Sequence, residues 1–98
     1  IVPVHFAGQS CDMKAINEVL PKDRKVYIIE DGAHAIGSEY DGTKVGACKY
    51  SDMTVFSFHP VKTITTCEGG AVTTNDENLY KKLLAYRSHG MHHTHDCK

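Results

Sequence analysis

The sequence predicts an α/β fold, a mostly parallel sheet with flanking helices. Three observations carry this. Short apolar runs open the chain and recur at "KVYIIED" and "DMTVFSF", each of strand length and rich in β-branched or aromatic residues. Stretches with apolar residues at helical spacing lie between the first two runs and near the far end. The order strand, helix, strand is that of a right-handed βαβ unit with parallel strands.

Taken in order, "IVPVHFAG" reads as a strand closed by a glycine. In "QSCDMKAINEVLPKD", Met13, Ile16, Val19 and Leu20 share a helical face, with Ser10 or Asp12 as N-cap and Pro21 as the stop. "KVYIIED" is the second strand and runs into Gly32. Asp41-Gly42 is a tight-turn signal and predicts a small hairpin. "DMTVFSF" is the third core strand and "GGAVTT" the fourth. Asn75 or Asp76 caps a final helix in which Leu79, Leu83 and Tyr86 share a face, and Gly90 suits its C-terminal end. The tail "HGMHHTHDCK" has no apolar period and reads as irregular.

The chain has 98 residues, 41% of them apolar, with 11 basic and 12 acidic side chains and a net charge of −1. Without a basic stripe, nucleic acid is not an expected partner. No apolar run approaches the ~20 residues of a membrane span, and no signal-peptide pattern is visible. Cys11, Cys48, Cys67 and Cys97 are scattered, with no C-x-x-C. They read as reduced thiols of a cytoplasmic protein. The chain starts inside an apolar stretch and supplies two helices for a sheet that needs both faces covered. It is therefore expected to be a piece of a longer protein.

The stretch "SFHPVKTITTCEGGAV" concentrates the chemistry. A strand breaks at a proline, presents Lys62, and returns through a threonine run and a glycine pair. Ligands of open α/β sheets sit beyond the carboxyl ends of strands. Asp31 closes one strand there, Ser57 lies near the end of another, and Lys62 lies just past it. Pyridoxal phosphate needs this trio. A lysine amine condenses with its aldehyde, a carboxylate keeps its ring nitrogen protonated as an electron sink, and hydroxyls hold its phosphate. Each residue also has a plain role: Lys62 as a solvated charge, Asp31 as a turn residue or helix cap, His34 as a packed histidine, Ser57 as a strand end. Glu68-Gly69-Gly70 reads as a turn that lets backbones approach closely.

"EDGAHAIGSEYDGTKVG", "SDMTVFSFHPVKTITTCEGGAVTTND" and "RSHG" together resemble the DegT/DnrJ/EryC1/StrS family of pyridoxal-phosphate sugar aminotransferases. "SFHPVK-ITT" is most similar to the branch that aminates the 4-keto group of a UDP-linked 4-keto-6-deoxy-N-acetylhexosamine on the route to pseudaminic acid. The resemblance implies part of a fold-type-I large domain over residues 1–90, with 91–98 an irregular His-rich tail. It implies that Lys62 is the Schiff-base lysine and that Asp31 pairs with the pyridine nitrogen. His34 then lies near the cofactor's 3′-oxygen, and Ser57 is a phosphate ligand. It further implies an amino-acid donor, glutamate, ping-pong transfer, and a homodimer whose subunits share residues. Dehydratase relatives carry histidine where this chain has Lys62, so the lysine favours amino transfer.

One departure stands out. Cys67 occupies the first glycine of the family's Gly-Asp/Glu-Gly-Gly run. If that position demands positive φ, Cys67 is strained. The tail offers a rival reading: His89, His92, His93 and His95 with Asp96 and Cys97 could hold zinc, although no ligand pair stands at zinc-finger spacing. On that alternative the chain is a non-catalytic structural fragment, or a cysteine- or zinc-dependent module. No metal ligands are assigned to the site itself.

Overall fold

The computed structural model describes residues 1–91. A 3-10 turn at Phe6–Gly8 precedes α1 (Met13–Glu18), β1 (Ile29–Asp31), the hairpin β2 (Glu39–Tyr40) and β3 (Thr43–Lys44), β4 (Met53–Ser57), β5 (Gly70–Thr73) and α2 (Glu77–Arg87). The expected first strand is present only as an isolated parallel bridge from Val4 to Asp31. The N–H groups of Ile29 and Asp31 donate to Ile1 and Pro3 carbonyls, and that of His5 donates to Asp31. Pro3 has no N–H to complete the ladder, which is why a full strand does not form. Beyond β1, β4 runs parallel in register, with Asp31 opposite Val55. β5 then returns antiparallel on β4, with Val55 opposite Val72 and Ser57 opposite Gly70. The sheet is therefore mixed: the leading segment, β1 and β4 are parallel, and the outer strand is reversed by the lysine loop.

Both helices start as the capping rules require. Asp12 accepts from the Ala15 N–H, and Asp76 accepts from the N–H groups of Asn78 and Leu79. Asn75 instead donates to the Ala47 carbonyl. α1 stops at Glu18, short of Pro21, so Val19 leaves the expected apolar face and is 80% exposed. In α2, Leu79 and Leu83 are half-buried but Tyr86 is exposed. At its end the Gly90 N–H reaches the Ala85 carbonyl and the His89 N–H reaches that of Tyr86, a Schellman arrangement. Its left-handed residue is His89 (φ 58°), with Gly90 (φ 77°) one step beyond.

The Asp41-Gly42 hairpin forms as expected. Both residues have positive φ, 51° and 68°, as the type I′ turn that suits twisted strands requires. The Tyr40 hydroxyl donates to Asp12 Oδ1 at 2.5 Å, which ties the hairpin to the first turn of α1. Asp41 accepts from Tyr50 Oη (2.7 Å) and pairs with Lys14 (2.9 Å) and Lys49 (3.3 Å).

The core beneath is small and partly polar. Met13, Ile28, Ala35 and Cys48 are its apolar members, and His5, Glu30 and Thr54 are its polar ones. Glu30 accepts from His5, from Ser51 and from Thr54 (3.1 Å), so the buried carboxylate is satisfied by three donors. The outer pair Val55 and Val72 on β4 and β5 remains 38% and 42% exposed. No helix among the described residues is long and apolar enough to cross a membrane.

Candidate functional site

Asp31 and Ser57 are the last residues of the parallel strands β1 and β4, so both lie at the sheet's carboxyl edge. Gly32 follows Asp31 and donates its N–H to the Val55 carbonyl at 2.8 Å. A Cβ at Gly32 would meet Phe56 at 3.0 Å and Thr54 and the Val55 carbonyl at 3.1 Å. Only glycine lets the chain leave β1 this close to β4. Asp31 Oδ1 then accepts from the Ala33 N–H at 3.0 Å. This is an Asx turn, so the plain role of Asp31 as a turn residue also holds. The second carboxylate oxygen has no hydrogen-bond partner among the described residues.

The lysine loop leaves β4 after Ser57. Ser57 Oγ accepts from the His59 N–H at 3.4 Å. The Lys62 N–H donates to the His59 carbonyl at 3.0 Å, and Phe58 receives the Thr66 N–H while donating its own to Gly69. The threonine run closes this loop. Thr65 Oγ1 donates to Phe58 O (3.0 Å) and accepts from the Cys67 N–H (2.9 Å), and Thr66 Oγ1 donates to Glu68 O (2.8 Å). Cys67 adopts φ 67°, the left-handed conformation expected of a position that usually holds glycine.

A cavity of about 220 Å³ lies between this loop and the β1 turn, lined by Ala7, Ala33, His34, Val61, Lys62 and Thr63. The fold thus brings Lys62 and His34 to the lining of one cavity, together with Ala33, which is tied to Asp31. Asp31 and Ser57 stand at the neighbouring strand ends rather than on the cavity lining. Lys62 is half-buried and forms no ion pair with the described residues. An amine and an imidazole lining one cavity, with a carboxylate and a hydroxyl at adjacent strand ends, are the donor set that pyridoxal phosphate uses. The residues fit the group, although the volume lies below the roughly 300–1,000 Å³ of complete ligand pockets.

Sequence reasoning missed two contributors and one buried pair. Ala7 lines the cavity and donates its N–H to His34 Nδ1 at 3.3 Å. The Phe6 ring packs on His34, with centroids 5.6 Å apart. Away from the cavity lining, His5 and Glu30 meet at 2.6 Å. The signal that could have found the pair is a titratable residue inside each of two apolar runs. Of the metal-binding cluster suggested by the tail, residues 92–98 lie outside the described residues. Among the described residues no group of His, Cys, Asp and Glu could hold a metal.

The model of the DegT/DnrJ/EryC1/StrS aminotransferase family matches residues 1–98. The chain is 46% identical over 91 residues to the UDP-4-amino-4,6-dideoxy-N-acetyl-beta-L-altrosamine transaminase of Helicobacter pylori, covering 93% of this chain and 24% of that protein. It is 47% identical over 91 residues to the GDP-perosamine synthase of Escherichia coli O157:H7, again 93% of this chain and 24% of that protein. Among solved structures it resembles Helicobacter pylori PseC, an aminotransferase involved in the biosynthesis of pseudoaminic acid. That match has a TM-score of 0.85 and 44% identity, over 96% of this chain and 24% of that one. The chain spans about a quarter of the length of these relatives.

Proposed function

Because the chain belongs to the DegT/DnrJ/EryC1/StrS aminotransferase family, we propose that the full-length protein containing it is a pyridoxal-phosphate aminotransferase. It moves an amino group from an amino acid, glutamate, to the 4-keto group of a UDP-linked 4-keto-6-deoxy-N-acetylhexosamine. The observation that supports the proposal is one cavity lined by both Lys62 and His34, with Ala33, which Asp31 holds in its turn, in the same lining. The choice of sugar rests on similarity to the Helicobacter pylori transaminase and PseC.

When bound, pyridoxal phosphate supplies an electron sink that stabilises negative charge at a substrate carbon. Lys62 Nζ would hold the cofactor covalently, and the same amine, once free, would carry the proton taken from the donor's α-carbon. The Asp31 carboxylate would favour a protonated ring nitrogen by its charge. Ser57 Oγ, at the end of β4, would donate to the phosphate, and His34 would bind the ring's oxygen substituent. The full-length protein acts as a homodimer.

The test is to load the full-length protein with pyridoxal phosphate, reduce it with borohydride and map the pyridoxyl group by peptide mass spectrometry. The expected result is a single modified site at Lys62. A label spread over the surface lysines refutes the cofactor assignment. Amination assays with UDP-linked and GDP-linked keto sugars then decide the substrate. Preference for the GDP sugar would place the protein with the perosamine-type relative instead.

A further inference from the structure

We infer that the backbone N–H of Ala7 fixes the tautomer of His34, so that the imidazole offers Nε2–H, and not a bare nitrogen, to a ligand in the Lys62 cavity. The inference deepens the reading of that cavity as a cofactor site and rests on it for the ligand. Its structural half stands on this chain alone.

A neutral imidazole has one N–H and one bare nitrogen. Ala7 N–H can only donate, and it lies 3.3 Å from His34 Nδ1. Nδ1 is therefore the acceptor, and the proton resides on Nε2, across the ring. Both partners are held in place. Ala7 sits at φ 52° within a turn closed by Gly8 N–H to the His5 carbonyl and Gln9 N–H to the Phe6 carbonyl. Ser38 Oγ donates to the Gly8 carbonyl at 2.7 Å and binds this turn to the segment after His34. On the other side, Ala35 N–H donates to Gly32 and Ser38 N–H to Ala35. The Phe6 ring, tilted 55° to the imidazole, limits its rotation. Ala7 and His34 also line the same cavity as Lys62, where a lysine-bound carbonyl compound would sit, and Nε2–H is the donor that His34 has left to offer it. The acceptor it suits is an oxygen of that compound, anionic or carbonyl. Ala7 and Phe6 are positioning residues for His34.

The glutamine side chain can copy this arrangement, since its amide N matches Nε2 and its oxygen can face Ala7. Asparagine places its amide N nearer to Nδ1 and cannot. In the full-length protein, ¹⁵N NMR of labelled histidine, assigned with His34→Gln, should show Nδ1 as the bare nitrogen and Nε2 as the protonated one without any ligand. The opposite pattern, or an averaged one, overturns the inference. A backbone ester in place of the Phe6–Ala7 peptide bond puts an oxygen where the N–H was. It should shift the tautomer ratio toward Nδ1–H by roughly tenfold, about 1.4 kcal/mol, and an unchanged ratio overturns the role of Ala7. With pyridoxal phosphate as the probe, His34→Gln should bind within about threefold of the parent and His34→Asn at least about tenfold more weakly. Equal binding by the two variants overturns the use of Nε2–H. Failure of the cofactor to label Lys62 defeats the cofactor reading alone and leaves the tautomer result standing.

Discussion

His5 Nε2 and Glu30 Oε2 meet at 2.6 Å, with the His5 side chain inaccessible and that of Glu30 8% exposed. The Cys11 N–H donates to His5 Nδ1 at 3.1 Å, so Nε2 carries the proton and donates to the carboxylate. The pair joins the leading segment to β1 directly behind Asp31.

Glu30→Leu removes the acceptor shared by three donors, and His5→Leu leaves the carboxylate short of one of them. Each single variant should lose about 3 kcal/mol or more of stability in urea denaturation of the full-length protein. The double variant should lose less than the sum, because the loss of the contact between His5 and Glu30 is counted in both single variants but occurs only once in the double. Simple additivity would show that the contact contributes no coupling.

Asp41 is predicted to govern part of the acid limb of stability. Hydrogen bonds from Tyr50, then Lys14 and Lys49, hold its carboxyl well below the usual carboxylate range. A folded-state value below the unfolded one gives stability that is present above about pH 4 and lost as pH falls toward the folded value. Asp41→Asn should lower Tm at neutral pH, and its deficit should shrink below about pH 4. A deficit constant from pH 7 to pH 2 would exclude this role.

Two backbone positions should respond in opposite directions. A Cβ at Gly42 meets nothing within 4 Å, so Gly42→Ala should cost only the left-handed backbone term, about 1 kcal/mol. Cys67 already bears that cost at φ 67°. Cys67→Gly relieves it, against the greater entropy glycine loses on folding, and should raise the denaturation midpoint slightly. A clear loss of stability on Cys67→Gly would mean that the thiol makes a compensating contact.

Lys62→Ala should lower amino transfer by roughly 10²–10⁴-fold from lost proton transfer alone and abolish borohydride labelling at that site. Ser57→Ala should instead weaken pyridoxal phosphate binding by about tenfold with the lysine still labelled. Asp31→Asn should retain the Asx turn through its amide oxygen; if its charge serves the ring nitrogen as proposed, turnover should fall more than cofactor affinity. Equal losses in both measurements would make Asp31 a structural residue only.

Local signals carried much of this architecture. Asp41-Gly42 specified its own turn and Asp12 and Asp76 their caps, because each interaction closes within a few residues; the β-branched and aromatic content of "DMTVFSF" marked its strand. The positive φ of Cys67 was expected only from the glycine that the resembling family keeps there. The placement of Asp31 and Ser57 at one edge of the sheet, with Lys62 in the loop beyond, was legible because parallel strands bring their carboxyl ends to the same side. The reversal of β5 was not legible, since pairing direction depends on how the lysine loop folds on Phe58. Nor was the replacement of the first strand by one bridge, which follows from the missing N–H of Pro3 in a ladder with β1. The buried pair of His5 with Glu30 and the cavity contact of Ala7 with His34 both join residues far apart in the chain. Nothing in either segment alone specifies its partner. Only the parallel docking of the leading segment on β1 brings them within hydrogen-bonding distance.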